Sequence, residues 1–344
     1  MSKVYLYTPW QEQGLSYDAR VMEKLFIMHG FESIITYRTK KKVKWDCEFV
    51  PIKEVPNIIE KGDVFFSFEV FPEKVIASIL DKTDLVYHMV NYEYYEKDTS
   101  EHLQAFKYVF CKSNAAFEGL QSDGLNNLIY QPWILFDFPL SQYRPLSDAD
   151  RIKAVFNGGT GGYKERRNLE AVINLISDYQ SDNVHFTLKF TDDLQRWSHK
   201  LLKKHKRMLE SDPRVSIMQH SSERDYYIKF LNGFDINIAP SRFEGFGLTL
   251  LEALHANLPT ITLDVSPLNE IVENGVTGIT VPADKTGRLR EQDIYQVNRH
   301  DLLEVFTNMV SDRKALRAMK KAIPEEIESK VQNFVMNMGK LLFE

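Results

Sequence analysis

The chain has 344 residues, 43% hydrophobic and 26% charged, with a formal net charge of -5 at pH 7. Its length predicts two domains at roughly 100–200 residues each, and its acidic balance speaks against a dedicated nucleic-acid binder, which would carry a basic excess. Two cysteines far apart, Cys47 and Cys111, argue against a disulfide scaffold and suggest a reducing compartment.

The N-terminal MSKVYLYTPW has no apolar leader core, and no stretch approaches the ~20 apolar residues of a membrane span. A cytoplasmic location is expected, at most peripheral at a membrane surface. KVYLYTP predicts a strand and YDARVMEKLFIMHGF a helix closed by Gly30. SIITYR and DVFFSFE follow as strands, PEKVIASILDKT as a helix and DLVYHMV as a strand; a further short strand is expected near Leu128–Tyr130. The basic run RTKKKVK, Arg38 to Lys44, fits a solvated loop or a patch for anionic headgroups or a phosphorylated substrate. QPWILFDFPLSQYRPLSDAD has three prolines and no periodicity, which marks a linker with a boundary near residues 140–150.

The alternation then restarts. IKAVFNGG, VHFTLKF, VSIMQ, DINIAPS and PTITLD read as strands, separated by helical RRNLEAVINLISDY, DLQRWSHKLLKKHKRML, SERDYYIKFLNG and TLLEALHAN. NEIVENG is a short helix, glycines and Pro282 mark the run to the domain end, and Asp301 to Glu344 looks mostly helical. Strands alternating with helices predict an α/β protein with two Rossmann-like, doubly wound domains, residues 1–145 and 146–325. A helical segment, 326–344, remains. In such sheets ligands bind beyond the carboxyl ends of the strands.

Two segments at such positions carry distinctive chemistry. In RFEGFGLTLLE, residues 242–252, Gly245 and Gly247 permit close backbone approach, and a helix from about Leu248 directs free N–H groups and a positive dipole end at the loop. That is a phosphate site, or an ordinary strand–turn–helix junction. Glu252 lies too deep in the helix for a cap and suits a ligand diol, and Glu244 could meet a second polyhydroxylated part. In FNGGTGGYKERRNLEA four glycines, Gly159 among them, lead to Lys164, Arg166 and Arg167 at a helix start. Cations there oppose the dipole, a conflict that a diphosphate would remove; the bland alternative is an exposed basic turn. Neither the dinucleotide fingerprint nor a Walker loop is present.

In the first half, Gly14 in PWQEQGLSYDAR lies between the first strand and helix. HMVNYEYYEKD offers His88, Asn91 and Glu93 beside Tyr92, Tyr94 and Tyr95, which could stack on a sugar or pack locally. His88 fits a packing role better than a base. His220 ends VSIMQ, where a nucleotide base could lie against backbone atoms. The histidines form no metal spacing, and no structural zinc is expected.

PSRFEGFGLTLLEALHANLPTITLDVSPLNEIVENGVTGITVP, with Glu244, seven residues and Glu252 before the Pro259–Thr260 strand entry, resembles the retaining glycosyltransferases of family 4. The resemblance covers the second domain well and the first mainly by layout. It implies a GT-B fold: two Rossmann-like domains facing a central cleft, with the C-terminal helix crossing back to the first, acceptor-side domain. It implies a nucleotide-diphosphate sugar as donor, UDP- or GDP-linked, a saccharide or glycolipid acceptor, and no metal or other cofactor. By the resemblance Glu252 holds the ribose, Glu244 contacts the donor sugar, and Phe246 and Gly247 close its pocket. Gly245, Gly247 and Leu248 meet sugar or diphosphate through the backbone, and Gly14 approaches the phosphates. Lys112–Ser113 matches a recurrent strand end.

The chain departs from the family where a Gly-Arg-Leu strand ending is usual. Here GGTGG stands instead, leaving Arg167, then Lys164 and Arg166, as the expected diphosphate clamp. The usual first-domain histidine region reads NYE, leaving Asn91 or Glu93 as acceptor-side candidates. The alternatives are a catalytically degraded sugar-nucleotide-binding module and another GT-B-fold enzyme such as a nucleotide-sugar epimerase.

Overall fold

The computed structural model describes residues 2–8, 14–39, 47–135, 140–146, 151–160, 165–220 and 224–343. The chain divides into two compact units, Met1–Asp137 with Val331–Glu344, and Phe138–Lys330.

The first unit runs β1 (Lys3–Tyr7), α1 (Gly14–Met28), β2 (Glu32–Tyr37), β3 (Glu48–Pro51), α2 (Val55–Ile58), β4 (Val64–Phe68), α3 (Glu73–Leu80), β5 (Val86–Met89), α4 (Ser100–Leu103), β6 (Tyr108–Cys111), α5 (Asn114–Ser122) and β7 (Leu128–Tyr130). The strands form one parallel sheet in the order β3-β2-β1-β4-β5-β6-β7. β4 and β5 are buried at every position, the mark of central parallel strands covered on both faces. Phe65, Phe66, Phe68, Tyr87 and Phe110 fill the core. The sequence did not announce β3, a four-residue edge strand whose side chains are half-buried or exposed and carry no alternation.

The second unit runs β8 (Ile152–Gly159), α6 (Leu169–Asp178), β9 (Val184–Phe190), α7 (Arg196–Ser211), β10 (Val215–Gln219), α8 (Arg224–Leu231), β11 (Ile236–Ile238), α9 (Leu248–His255), β12 (Thr260–Leu263), α10 (Leu268–Ile271) and β13 (Gly278–Val281). Its six strands are parallel, in the order β10-β9-β8-β11-β12-β13. In each sheet the winding direction reverses once, between β1 and β4 and between β8 and β11, so each has a topological switch point.

An antiparallel hairpin, β14 (Ala283–Leu289) with β15 (Gln292–Val297), follows where the sequence suggested irregular chain. β14 reads ADKTGRL and is mostly exposed, so it lacks the period-2 apolar signal that identifies a strand. The chain closes with α11 (Arg299–Ser311) and the 31-residue α12 (Arg313–Phe343). From Val331 onward α12 belongs to the first unit. There Phe334 is 1% exposed and meets Trp133 edge-on at 5.0 Å, while Phe343 packs on Phe26, His29 and Phe31.

Candidate functional site

The two segments singled out in the second half both leave the switch point of the second sheet. The chain after β8 leads to α6, and the chain after β11 leads to α9. These loops are bonded together: Arg242 N–H donates to the Arg166 carbonyl at 2.8 Å, and Asn168 Nδ2 donates to the Pro240 carbonyl at 3.1 Å. Gly158 is fixed by packing, since a Cβ there would lie 2.4 Å from Phe190 Cε1. Gly159 ends β8 at φ 55°.

This stitching joins the charged groups. Arg167 Nη1 donates to Glu244 Oε1 and, at 3.0 Å, to Thr249 Oγ1 in the first turn of α9. Arg166 Nη1 stands 4.0 Å from Glu244 Oε2. The Glu244 side chain is only 6% exposed, so it is desolvated against a bidentate-capable cation. Its backbone is braced by the hairpin that the sequence did not reveal: Gln292 Nε2 donates to the Glu244 carbonyl, and Tyr295 N–H donates to the Arg242 carbonyl at 2.9 Å. Part of the cationic charge that the sequence left without a counterion, that of Arg167, is therefore met within the chain. Both arginines precede α6, whose first residue is Leu169.

At the start of α9, Gly247 has φ 106° and caps the helix. A Cβ there would lie 3.1 Å from Leu250 Cδ1 and 3.2 Å from Ile271 Cδ1, so both its conformation and its surroundings require glycine. Gly245 and Phe246 are buried beside it and Leu248 is half-buried. Glu252 is the fifth residue of α9, half-buried. It faces Lys189 from the end of β9, a residue the sequence reading passed over. Burial pulls the Lys189 ammonium below its usual range, and the Glu252 carboxylate opposes that pull. Lys189 Nζ also lies 4.9 Å from the Tyr227 ring centroid. Its only signal was a lysine next to last in a mostly apolar strand, VHFTLKF.

Glu165, next to the arginines, holds φ 62° and accepts the Glu170 N–H at 3.3 Å. Burial pushes its carboxyl up to about 7, against the stabilising N–H groups of Glu170 and Leu169. Lys164 lies outside the described residues. His220 stands exposed just beyond β10, two strands from the switch point, with its N–H on the Phe190 carbonyl at 3.0 Å.

In the first unit the carboxyl ends of β4, β5 and β6 carry a second polar group. Asn91 Nδ2 donates to Glu69 Oε2 at 2.6 Å. Glu69 holds φ 61°, an uncommon conformation for a side-chain-bearing residue, and burial pushes its carboxyl above the usual range. Sequence reading missed it because a lone glutamate after FFSF carries no motif. Glu69, His88 and Asn91 line a cavity of about 190 Å³ with Phe71, Tyr94 and Tyr95. His88 is 1% exposed, its Nδ1 is 2.8 Å from Ser67 Oγ, and burial pulls it down to about 3. Burial thus favours the neutral imidazole. Glu93 is buried at 8% exposure. Tyr92 and Tyr95 stack on each other at 5.9 Å, whereas Tyr94 is 52% exposed.

Lys112 pairs with Asp18 at 2.7 Å, Trp133 Nε1 donates to the same carboxylate at 2.7 Å, and Ser113 caps α5 through the Ala116 N–H. Gly14 opens α1, and the residues just before it lie outside those described. Among the described residues no cluster of His, Cys, Asp and Glu could hold a metal ion, and no helix is long and apolar enough to cross a membrane.

Residues 160–292 match the family described as Glycosyl transferases group 1. The chain is 36% identical over 76 residues to the lipopolysaccharide core biosynthesis mannosyltransferase LpsB of Rhizobium meliloti, covering 22% of this chain and 20% of that protein. It is 28% identical over 127 residues to the capsular polysaccharide biosynthesis glycosyltransferase CapM of Staphylococcus aureus, covering 37% and 33%. These alignments thus span between a fifth and a third of the relatives' own lengths. The fold match is wider. A glycosyltransferase from Rickettsia africae superposes with a TM-score of 0.77 at 11% identity, covering 99% of this chain and 97% of that one. Sucrose-phosphate synthase from Thermosynechococcus elongatus gives 0.74 at 13% identity, covering 99% and 98%. Anabaena HepE in complex with UDP and glucose gives 0.73 at 11%, covering 99% of both chains. The fold is accordingly GT-B-like, with two Rossmann-like parallel-sheet domains, and residues 160–292 are related to the group 1 glycosyl transferases.

Proposed function

We propose that this chain is a retaining glycosyltransferase that moves a hexose or pentose from a nucleotide-diphosphate sugar to an acceptor hydroxyl. The observation that carries the reading is the contact of Arg167 and Glu244 at the switch point of the second unit, beside the start of α9. Cleavage of a sugar–phosphate bond develops positive charge on the sugar carbon and negative charge on the departing diphosphate. A carboxylate and a guanidinium held side by side match that pattern end for end. In this reading Arg167, with Arg166 and Lys164, takes the diphosphate, and Glu244 takes the sugar.

The glycine-led start of α9, with Gly245, Phe246, Gly247 and Leu248, adds backbone N–H groups for phosphate. Glu252, with Lys189 behind it, takes the ribose diol. Gly159 and His220 contribute backbone approaches to the nucleotide. The first-unit cavity receives the saccharide or glycolipid acceptor, with Glu69, Asn91 and Glu93 as hydroxyl partners and His88 as a neutral wall. A leaving-phosphate oxygen accepts the acceptor proton, so no second catalytic carboxylate is called for, in contrast to a glycosidase pair. The location that goes with this donor chemistry is the cytoplasm.

The test is incubation with UDP-, GDP-, ADP- and TDP-sugars and a saccharide panel, with the anomeric proton of the product read by NMR. Release of nucleoside diphosphate with a product of donor configuration is expected. An inverted product contradicts retention; tight binding with neither transfer nor hydrolysis assigns the chain to a binding module instead.

A further inference from the structure

Lys189 is the sixth residue of β9, VHFTLKF, and is buried at 8% exposure. It stands opposite Asn157 of β8 in the register of the sheet, so the two side chains leave the same face. Two residues earlier along β8, on that face, Val155 belongs to an apolar cluster with Tyr227, Ile228 and Leu231 of α8 and Ala253 of α9. Polar groups crown this cluster. Asn157 Nδ2 donates to Tyr227 Oη, Lys189 Nζ lies 4.9 Å from the Tyr227 ring centroid, and Glu252 stands next to Ala253 on α9.

A lysine is a costly choice there. Among the described residues its ammonium has no hydrogen bond and no ion pair. What offsets its burial is the Tyr227 ring and the Glu252 and Asp192 carboxylates, which act from beyond ion-pair distance. Burial outweighs them and pulls the ammonium below its usual range. A methionine of similar length would fill the same space without desolvating a charge, so folding alone gives no reason for the cation. The lysine and Glu252 have complementary needs: an ammonium only donates hydrogen bonds and a carboxylate only accepts them. A hydroxyl does both, so a diol that reaches the two groups satisfies each, whereas a phosphate would be repelled by the carboxylate.

We propose that Lys189 is a specificity-determining residue: with Glu252 it forms a donor–acceptor pair for ribose hydroxyls that selects ribonucleotides over 2′-deoxyribonucleotides. The inference rests on the transferase reading, in which Glu252 meets the ribose, and adds to it the class of nucleotide and the residue that enforces it. A 2′-deoxyribose leaves a desolvated charge without its hydrogen bond. Sites built to read a hydroxyl reject the analogue that lacks it for this reason.

The test is titration calorimetry of the full chain with UDP, GDP and their 2′-deoxy forms. The wild type should prefer the ribonucleotide by roughly 10–100-fold, the worth of a hydrogen bond to a charged group. Lys189→Met and Glu252→Ala should each remove most of that preference while leaving the 2′-deoxy affinity within a few-fold of wild type. The double variant should lose no more preference than either single one, because both act on the same hydroxyls. A residue that merely supports the fold would weaken both forms alike. Circular dichroism checks that each variant is folded, and Lys189→Gln, which loses the charge but keeps a donor, reads the same direction of change if methionine disturbs the strand. A wild type that binds ribo- and 2′-deoxynucleotides equally overturns the inference and leaves the transferase reading intact, as does a Lys189→Met variant that weakens both forms equally. Failure of every nucleotide to bind the wild type overturns both.

Discussion

Arg167 and Glu244 stand 77 positions apart in sequence, and each was visible from its own loop: one as a cation before a helix, the other as a carboxylate between a strand and a glycine pair. Their contact was not visible, because it depends on which strands flank the switch point. The sequence therefore gave them separate partners, whereas the fold gives them each other. Removing one charge leaves the other desolvated, a loss that exceeds the net worth of the pair. We expect Arg167→Met and Glu244→Gln each to lower unfolding free energy by about 2–4 kcal/mol. The double variant should lose at least ~1 kcal/mol less than the sum. A urea-denaturation cycle measures this; strict additivity would show that the pair is not coupled.

Glu165 gives a second residue-scale test. Its carboxyl titrates near 7 when folded, raised from 4.5, so between those values the folded state binds more protons than the unfolded one. Its contribution is full below about 4.5 and is lost as pH rises through about 7. The melting temperature of the wild type relative to Glu165→Gln should therefore fall between pH 4.5 and 8, by roughly 2–4 °C. A constant difference across that range would contradict the burial argument.

At the scale of elements, the parallel strands were legible because central strands are continuous apolar runs, and the helices because their faces alternate at helical spacing. The β14–β15 hairpin was illegible because its exposed strand has no apolar alternation, yet it holds the backbone of Glu244 and Arg242 in place. Glu69 and Lys189 were illegible for a related reason: each is a single charged residue near the end of a mostly apolar strand, and only sheet order shows what stands next to it. The start of α9 rests on Gly247. Gly247→Ala meets a left-handed φ and two close side-chain carbons, and should cost about 1–2 kcal/mol of stability. It should also weaken phosphate binding more than sugar discrimination, read as nucleoside-diphosphate affinity against the ratio between sugars. In α12, Phe334→Ala removes a buried ring from beside Trp133. We expect a loss of about 3–5 kcal/mol, confined in hydrogen exchange to the first unit to which that part of the helix belongs. Uniform loss of protection in both units would contradict this assignment.

Across the whole molecule, composition and alternation were sufficient for two doubly wound sheets, because parallel sheets of this kind have few connection rules. The glycine-led helix start in the RFEGFGLTLLE segment, on which the proposed donor site rests, was legible, since glycines before a helix have physical consequences that do not depend on the rest of the chain. The first-unit cavity proposed for the acceptor was less legible, because it is lined by single residues at the ends of several strands. The account's central claim is that the second unit alone contributes the diphosphate and sugar contacts around Arg167 and Glu244. Titration calorimetry of UDP and GDP, free and sugar-linked, tests it most directly. The account predicts that Arg167→Ala weakens free and sugar-linked nucleotides alike, by roughly 10–100-fold. Glu244→Gln should leave the free diphosphate within a few-fold and abolish the preference for its sugar-linked form. Failure of every nucleotide to bind, or unchanged affinities in both variants, would contradict the account.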